Sequence, residues 1–253
     1  MCLAPGAAVP LPPAGLLVGD GAPLVAEVLD DRATRMVCAV PAGDAPSAVL
    51  VLPDGRGLTR SYETLVELLA RCGIPAGAVD LHGPVAGPDP RPDDLVQQFS
   101  RQVQWPVLRR AVADAARTLR VRSGARRLVV LGFCLGGRVA LLAAADPQVG
   151  AAEILALYPD PVGQARGDVP APIEHVAAVH GRVQLLVGTA DEHVSVASVD
   201  SYAGALRAAR ASVEVVRYVG APHSFFDRGL AAAYPEACAD VWRRIVAAAR
   251  RAE

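Results

Sequence analysis

Short uninterrupted apolar runs alternate along this chain with stretches whose apolar residues fall at helical spacing. Leu128 to Leu131, bounded by Arg127 and Gly132, have the pattern of a strand buried on both faces, and 48–52 have it too. Residues 154–158, 183–187 and 213–218 are expected as further strands. Between them, 61–71 carries Leu65, Leu68 and Leu69 at helical spacing, with Ser61 as N-cap and Gly73 as the stop. Residues 93–120, 139–145, 196–210 and 234–251 also read as helical, with Pro106 breaking the first of these. Residues 24–29 and 35–40 flank Asp30-Asp31-Arg32 as an antiparallel hairpin, and 74–80 is a strand weakened by its proline. Residues 1–23, rich in proline, glycine and alanine, are expected as a flexible N-terminal extension, and 24–253 as a single domain. Strands alternating with helices predict an α/β fold with a mostly parallel sheet covered on both faces. Such sheets hold their ligands at the carboxyl edge of the strands.

Composition narrows the partners. A chain of 253 residues that is 52% hydrophobic can bury one sizeable core. Its formal net charge of -1 leaves no basic footprint for nucleic acid. Lysine and asparagine are absent, and every basic side chain apart from histidine is arginine, which reflects GC-rich codons rather than phosphate recognition. No apolar run reaches the ~18 residues of a membrane span, and no basic segment opens a signal peptide. Cysteines at 2, 38, 72, 134 and 238 give neither a disulfide framework nor a C-x-x-C metal pair. A cytoplasmic protein with free thiols is expected, as a monomer or small homo-oligomer.

The chemistry is concentrated in Gly132-Phe133-Cys134-Leu135-Gly136-Gly137, a G-x-nucleophile-x-G turn between a strand and a helix with cysteine as the nucleophile. Side chains two residues either side of so sharp a turn would collide with neighbouring elements, and glycine avoids this. The helix start beyond it favours a thiolate. Asp191 and His223 also follow buried strands, and the order nucleophile, acid, histidine is that of α/β-hydrolases. Histidine would take the thiol proton while the carboxylate fixes its tautomer. Among rivals, His82, His175, His180 and His193 read as structural or solvated, and Glu192 and Asp160 as weaker candidates for the acid.

These motifs, with Gly188-x-x-Asp191 and His223-Ser224-Phe225-Phe226, resemble the dienelactone hydrolase (carboxymethylenebutenolidase) family over nearly the whole chain from about Leu24. The resemblance implies an α/β-hydrolase fold and a cysteine hydrolase of enol lactones and related esters, with Cys134, Asp191 and His223 as triad and with no metal or cofactor. It implies oxyanion donors at the backbone N–H groups of Leu135 and Gly55. It places Asp54 where the family carries a glutamate that helps to generate the thiolate, although Asp-Gly is also a turn signature. The family holds its substrate carboxylate with arginines, one of them four residues after the histidine. Here that place is Asp227, followed by Arg228, and Arg101 matches the second. Arg56, Arg228, Phe133, Tyr158 and Phe225 are further candidates for the substrate pocket, walled by loops 82–93 and 159–172.

The expected function is hydrolysis of a small lactone, ester or thioester through an acyl-enzyme on Cys134. Two alternatives stay open: an acyl transferase or cyclase using the same acyl-enzyme, and a non-catalytic small-molecule-binding protein on the same scaffold.

Overall fold

The structure is a computed structural model, and it describes residues 8–18, 27–31, 34–82, 103–164 and 168–251. Its strands are β1 Glu27–Asp31, β2 Thr34–Ala39, β3 Ser47–Leu52, β4 Ala76–Val79, β5 Arg127–Phe133, β6 Glu153–Leu157, β7 Arg182–Gly188 and β8 Ser212–Tyr218. The helices are α1 Arg60–Arg71, α2 Trp105–Ser123, α3 Leu135–Ala143, α4 Val196–Ala208, α5 Arg228–Ala231 and α6 Pro235–Arg250.

One sheet takes all eight strands in the order β1-β2-β4-β3-β5-β6-β7-β8. The hairpin expected near the N-terminus is β1–β2, and β2 also pairs antiparallel with β4; every other pairing is parallel. This is the expected α/β-hydrolase architecture. The central strands show why their sequences are apolar throughout. Ala48, Leu50, Leu128 and Val130 point to one face, where α2, α3 and α4 pack. Val49, Val51, Val129 and Leu131 point to the other, covered by α1 and α6. Side chains alternate between the two sides of a strand, so a strand with both sides covered has no polar position to offer.

Two details differ from the sequence pattern. Pro106 does not interrupt a helix but starts one, in the first turn of α2, where its missing N–H has no intrahelical partner to lose; the preceding part of the expected 93–120 helix, up to residue 102, lies outside the described residues. Within the expected extension 1–23, the described residues 8–18 pack on the domain: Val9 is fully buried, Trp242 Nε1 donates to the Pro10 carbonyl at 3.0 Å, and the Val18 N–H donates to the Arg71 carbonyl. Among the described residues no helix is long and apolar enough to cross a membrane.

Candidate active site

β5 ends at Phe133 and α3 begins at Leu135, so Cys134 alone makes the turn, with φ 51° and ψ −111°. A side chain in that region carries strain of about 1–3 kcal/mol, retained only where the surroundings impose it. They do so here. A Cβ on Gly132 would lie 2.3 Å from the Gly136 carbonyl oxygen, and one on Gly136 would lie 2.1 Å from Leu52 O and 2.2 Å from Pro53 O. The turn is therefore wedged between its own helix and the start of the β3–α1 loop. The Cys134 N–H is tied to Leu157 O of β6 at 3.1 Å. Cys134 is half-buried, whereas Cys38, Cys72 and Cys238 are buried.

Asp191 and His223 stand at the same edge of the sheet, two and three strands away. The loops after β7 and β8 are laced by their backbones: Thr189 N–H donates to Tyr218 O and Ala190 N–H to Ala221 O, both at 3.0 Å. Gly188 permits the lacing, since a Cβ there would meet Ala221 O at 2.0 Å. The result is a 2.7 Å contact between Asp191 Oδ2 and His223 Nδ1. Asp191 Oδ1 accepts the N–H groups of His193 (2.8 Å) and Val194 (2.9 Å). Burial alone would raise the Asp191 carboxyl, but the His223 hydrogen bond and these two amides together hold it below its ordinary value. Burial alone would lower His223, yet the Asp191 hydrogen bond, with the Cys134 sulfur next, raises the imidazole to about 9. His223 Nε2 is buried and has no hydrogen-bond partner among the described residues.

The imidazole lies between two rings. Tyr158, fully buried, is 4.9 Å from it, and His193, exposed, is 5.1 Å away and edge-on. Tyr158 has φ 40°, and its hydroxyl is buried with no hydrogen-bond partner among the described residues. Phe133 and Phe225 are buried and pack against Tyr158, so they form the floor beneath the histidine.

The β3–α1 loop supplies the facing wall. Asp54 is 1% exposed and Arg56 5% exposed. Asp54 Oδ1 accepts the Arg56 N–H at 2.9 Å, which makes it a turn former, and its own N–H donates to Tyr62 Oη at 3.0 Å. Neither the Gly55 N–H nor the Leu135 N–H takes part in a hydrogen bond among the described residues.

The arginine positions separate from the site. The Asp227 carboxylate caps α5 by accepting the Gly229 N–H at 2.7 Å. Arg228 is exposed and lines a different groove of about 340 Å³, with Pro10, Leu11 and Pro235. Arg101 lies outside the described residues, as does the 82–93 loop beyond His82. Sequence reasoning missed three neighbours: His193 over the imidazole, His82, whose Nε2 is 2.7 Å from Gly55 O, and Arg138, fully buried behind the elbow. For His82 a signal existed, since it follows β4 at the same sheet edge. Among the described residues no cluster of His, Cys, Asp or Glu could hold a metal ion.

Comparisons with known proteins bear on the family and the fold. A Klebsiella pneumoniae structure named as a dienelactone hydrolase superposes with a TM-score of 0.72 at 27% identity, covering 85% of this chain and 91% of that one. A Bradyrhizobium protein named as a probable 2-oxo-3-(5-oxofuran-2-ylidene)propanoate lactonase is 28% identical over 199 residues, 77% of this chain and 79% of that protein. A Salmonella typhimurium protein named as a carboxymethylenebutenolidase is 38% identical over 125 residues, but the match spans only 48% of this chain and 45% of that one. The model of the dienelactone hydrolase family matches residues 35–251. With the elbow, the sheet order and this match in agreement, the chain belongs to the dienelactone hydrolase family of lactone and ester hydrolases.

Proposed function

We propose that this protein hydrolyses a small lactone, ester or thioester through an acyl-enzyme on Cys134. The observation that carries the reading is the 2.7 Å Asp191–His223 pair standing at the sheet edge that bears the strained Cys134 turn. His223 Nε2 takes the thiol proton, and the thiolate adds to the carbonyl carbon. The developing oxyanion is met by the N–H groups of Leu135 and Gly55. Collapse breaks the acyl bond to the leaving oxygen or sulfur, which receives the proton from His223. Water, deprotonated by the same nitrogen, then adds to the thioester, and the second collapse returns the sulfur and releases the acid. Asp191 keeps the ring proton on Nδ1 throughout, leaving Nε2 free to exchange protons.

A lactone is the first substrate class to try, given the name of the Bradyrhizobium relative. The carboxylate of dienelactone itself would find Asp227 where the family has an arginine, with Arg228 facing another groove, so the favoured substrate is one that does not depend on that clamp. The test is intact-mass detection of an acyl adduct on Cys134 after exposure to a panel of lactones, aryl esters and thioesters, beside turnover by Cys134→Ala. An adduct on Cys134 and an inactive variant are expected. Turnover that survives in Cys134→Ala would overturn the reading.

A further inference from the structure

We infer that His82 is a positioning residue for the oxyanion hole, locking the Gly55 peptide from behind; this rests on the function proposed above. β4 ends at Val79, and buried Asp80 accepts the His82 N–H through Oδ1 at 3.1 Å. That turn carries the imidazole back to the β3–α1 loop, where Nε2 lies 2.7 Å from Gly55 O. A carbonyl oxygen only accepts, so Nε2 carries a proton, in the neutral ring and the protonated ring alike.

The peptide joining Gly55 to Arg56 is thus held at both ends, its oxygen by His82 and its N–H by Asp54 Oδ1 at 2.9 Å. The preceding peptide is held at its oxygen, because Asp54 O accepts the Gly57 N–H at 2.9 Å. The residue between them is a glycine, whose backbone restricts itself least, so external clamps must set its direction. Among the described residues the Gly55 N–H remains unbonded, in a loop whose first carbonyls press on the elbow glycine. An oxyanion donor is effective only when it is aimed before charge develops. The side chain of His82 touches neither substrate nor sulfur in this scheme; it acts through the backbone.

Two substitutions separate the clamp from mere bulk. His82→Gln retains an N–H donor at similar reach, and His82→Leu retains apolar volume without a donor. The rate of Cys134 acylation by an activated aryl ester, followed by intact mass in a single turnover, should fall about 10- to 100-fold in His82→Leu, less than the ~10²–10³ lost with a whole donor. KM should stay nearly unchanged, since the interaction is realised in the transition state. His82→Gln should recover most of the rate. Amide hydrogen exchange at residues 55–57, measured on the same proteins, should accelerate in His82→Leu and not in His82→Gln. An unchanged acylation rate in His82→Leu, or equal losses in both variants with equal losses of thermal stability, would overturn the inference. If the wild-type protein formed no adduct, the proposed function would fail, and unchanged amide exchange in His82→Leu would then overturn the clamp by itself.

Discussion

Asp191→Asn exchanges one carboxylate oxygen for an amide nitrogen, and the surroundings dictate which. Oδ1 accepts two backbone N–H groups, at 2.8 and 2.9 Å, so the amide oxygen must stay there. The NH₂ then takes the place of Oδ2, 2.7 Å from His223 Nδ1. An NH₂ group only donates, which makes Nδ1 the acceptor and moves the ring proton to Nε2. In the proposed reaction the nitrogen that receives the Cys134 proton is then already protonated. The lost charge acts as well. His223 is raised from 6.5 to about 9 against the effect of its burial, with Asp191 foremost among the groups that raise it. At ~1.4 kcal/mol per pH unit, that rise is worth about 3 kcal/mol in favour of the imidazolium.

Three outcomes follow for Asp191→Asn. The kcat for an aryl ester should drop roughly 10³- to 10⁴-fold, as expected for a wrong tautomer. The acid limb of kcat/KM, below which His223 is already protonated and cannot take the thiol proton, should move to lower pH, because the variant lacks the group foremost in raising His223. Urea unfolding should show a stability gap between wild type and variant. A histidine with a raised folded-state pKa stabilises in full below its unfolded value of 6.5, and the contribution fades as pH rises through about 9. The gap should therefore reach at most ~3 kcal/mol near about pH 6, since the Cys134 sulfur supplies part of the same rise, and close by about pH 10. A variant within tenfold of wild-type activity, or a gap that widens with rising pH, would refute the reasoning.

Iodoacetamide should label Cys134 before Cys38, Cys72 or Cys238: those three are buried, and burial pushes their thiols up, Cys238 to about 11. Earlier labelling of Cys38 or Cys72, read by peptide mapping, would count against Cys134 as the reactive sulfur. Gly136→Ala would put a Cβ 2.1 Å from one backbone oxygen and 2.2 Å from another, neither able to rotate away. Urea melts should show a loss of roughly 1–3 kcal/mol, and activity should collapse with it because elbow and oxyanion loop are forced apart. Arg138→Leu should cost about 3–5 kcal/mol in thermal melts, the range for unpairing a buried charge network. Its fully buried guanidinium donates to the carbonyls of Asp160, Gly163, Gln164, Val169 and Pro170 and to the Asp160 carboxylate. Limited proteolysis should then cut the 160–170 loop first, and an equally resistant loop would show that Arg138 does not hold it.

Much of this fold is legible in the chain because burial on both faces leaves an unmistakable pattern. β3, β5, β6 and β7 are nearly unbroken apolar runs, and Cys134, Asp191 and His223 follow three buried or half-buried strands at their carboxyl ends. β4 shows the limit. It is Ala-Gly-Ala-Val, and what inserts it between β2 and β3 is close approach: a Cβ on Gly77 would meet Met36 Cε at 2.6 Å. Small residues fit where bulk cannot, but they carry little hydrophobic signal. Pro106 is ambiguous for another reason, since the same missing N–H suits a helix start and ruins a helix interior. In the site, side-chain pairs such as Asp191–His223 can be anticipated from residue type. Contacts to carbonyls cannot, because every residue has one. That is why His82 on Gly55 O and Arg138 among the loop carbonyls emerge only in three dimensions.

Among the described residues β8 is the outermost strand at its end of the sheet, paired with β7 alone, and several of its side chains are only partly covered. The imidazole hangs from the end of that rim, while the sulfur is anchored in the middle of the sheet. Fraying of the margin would therefore unplug the base of the proposed reaction from an otherwise intact molecule. Gentle denaturation should silence the chemistry well before the bulk of the polypeptide comes apart, and the dormant form should revive as soon as the rim zips shut.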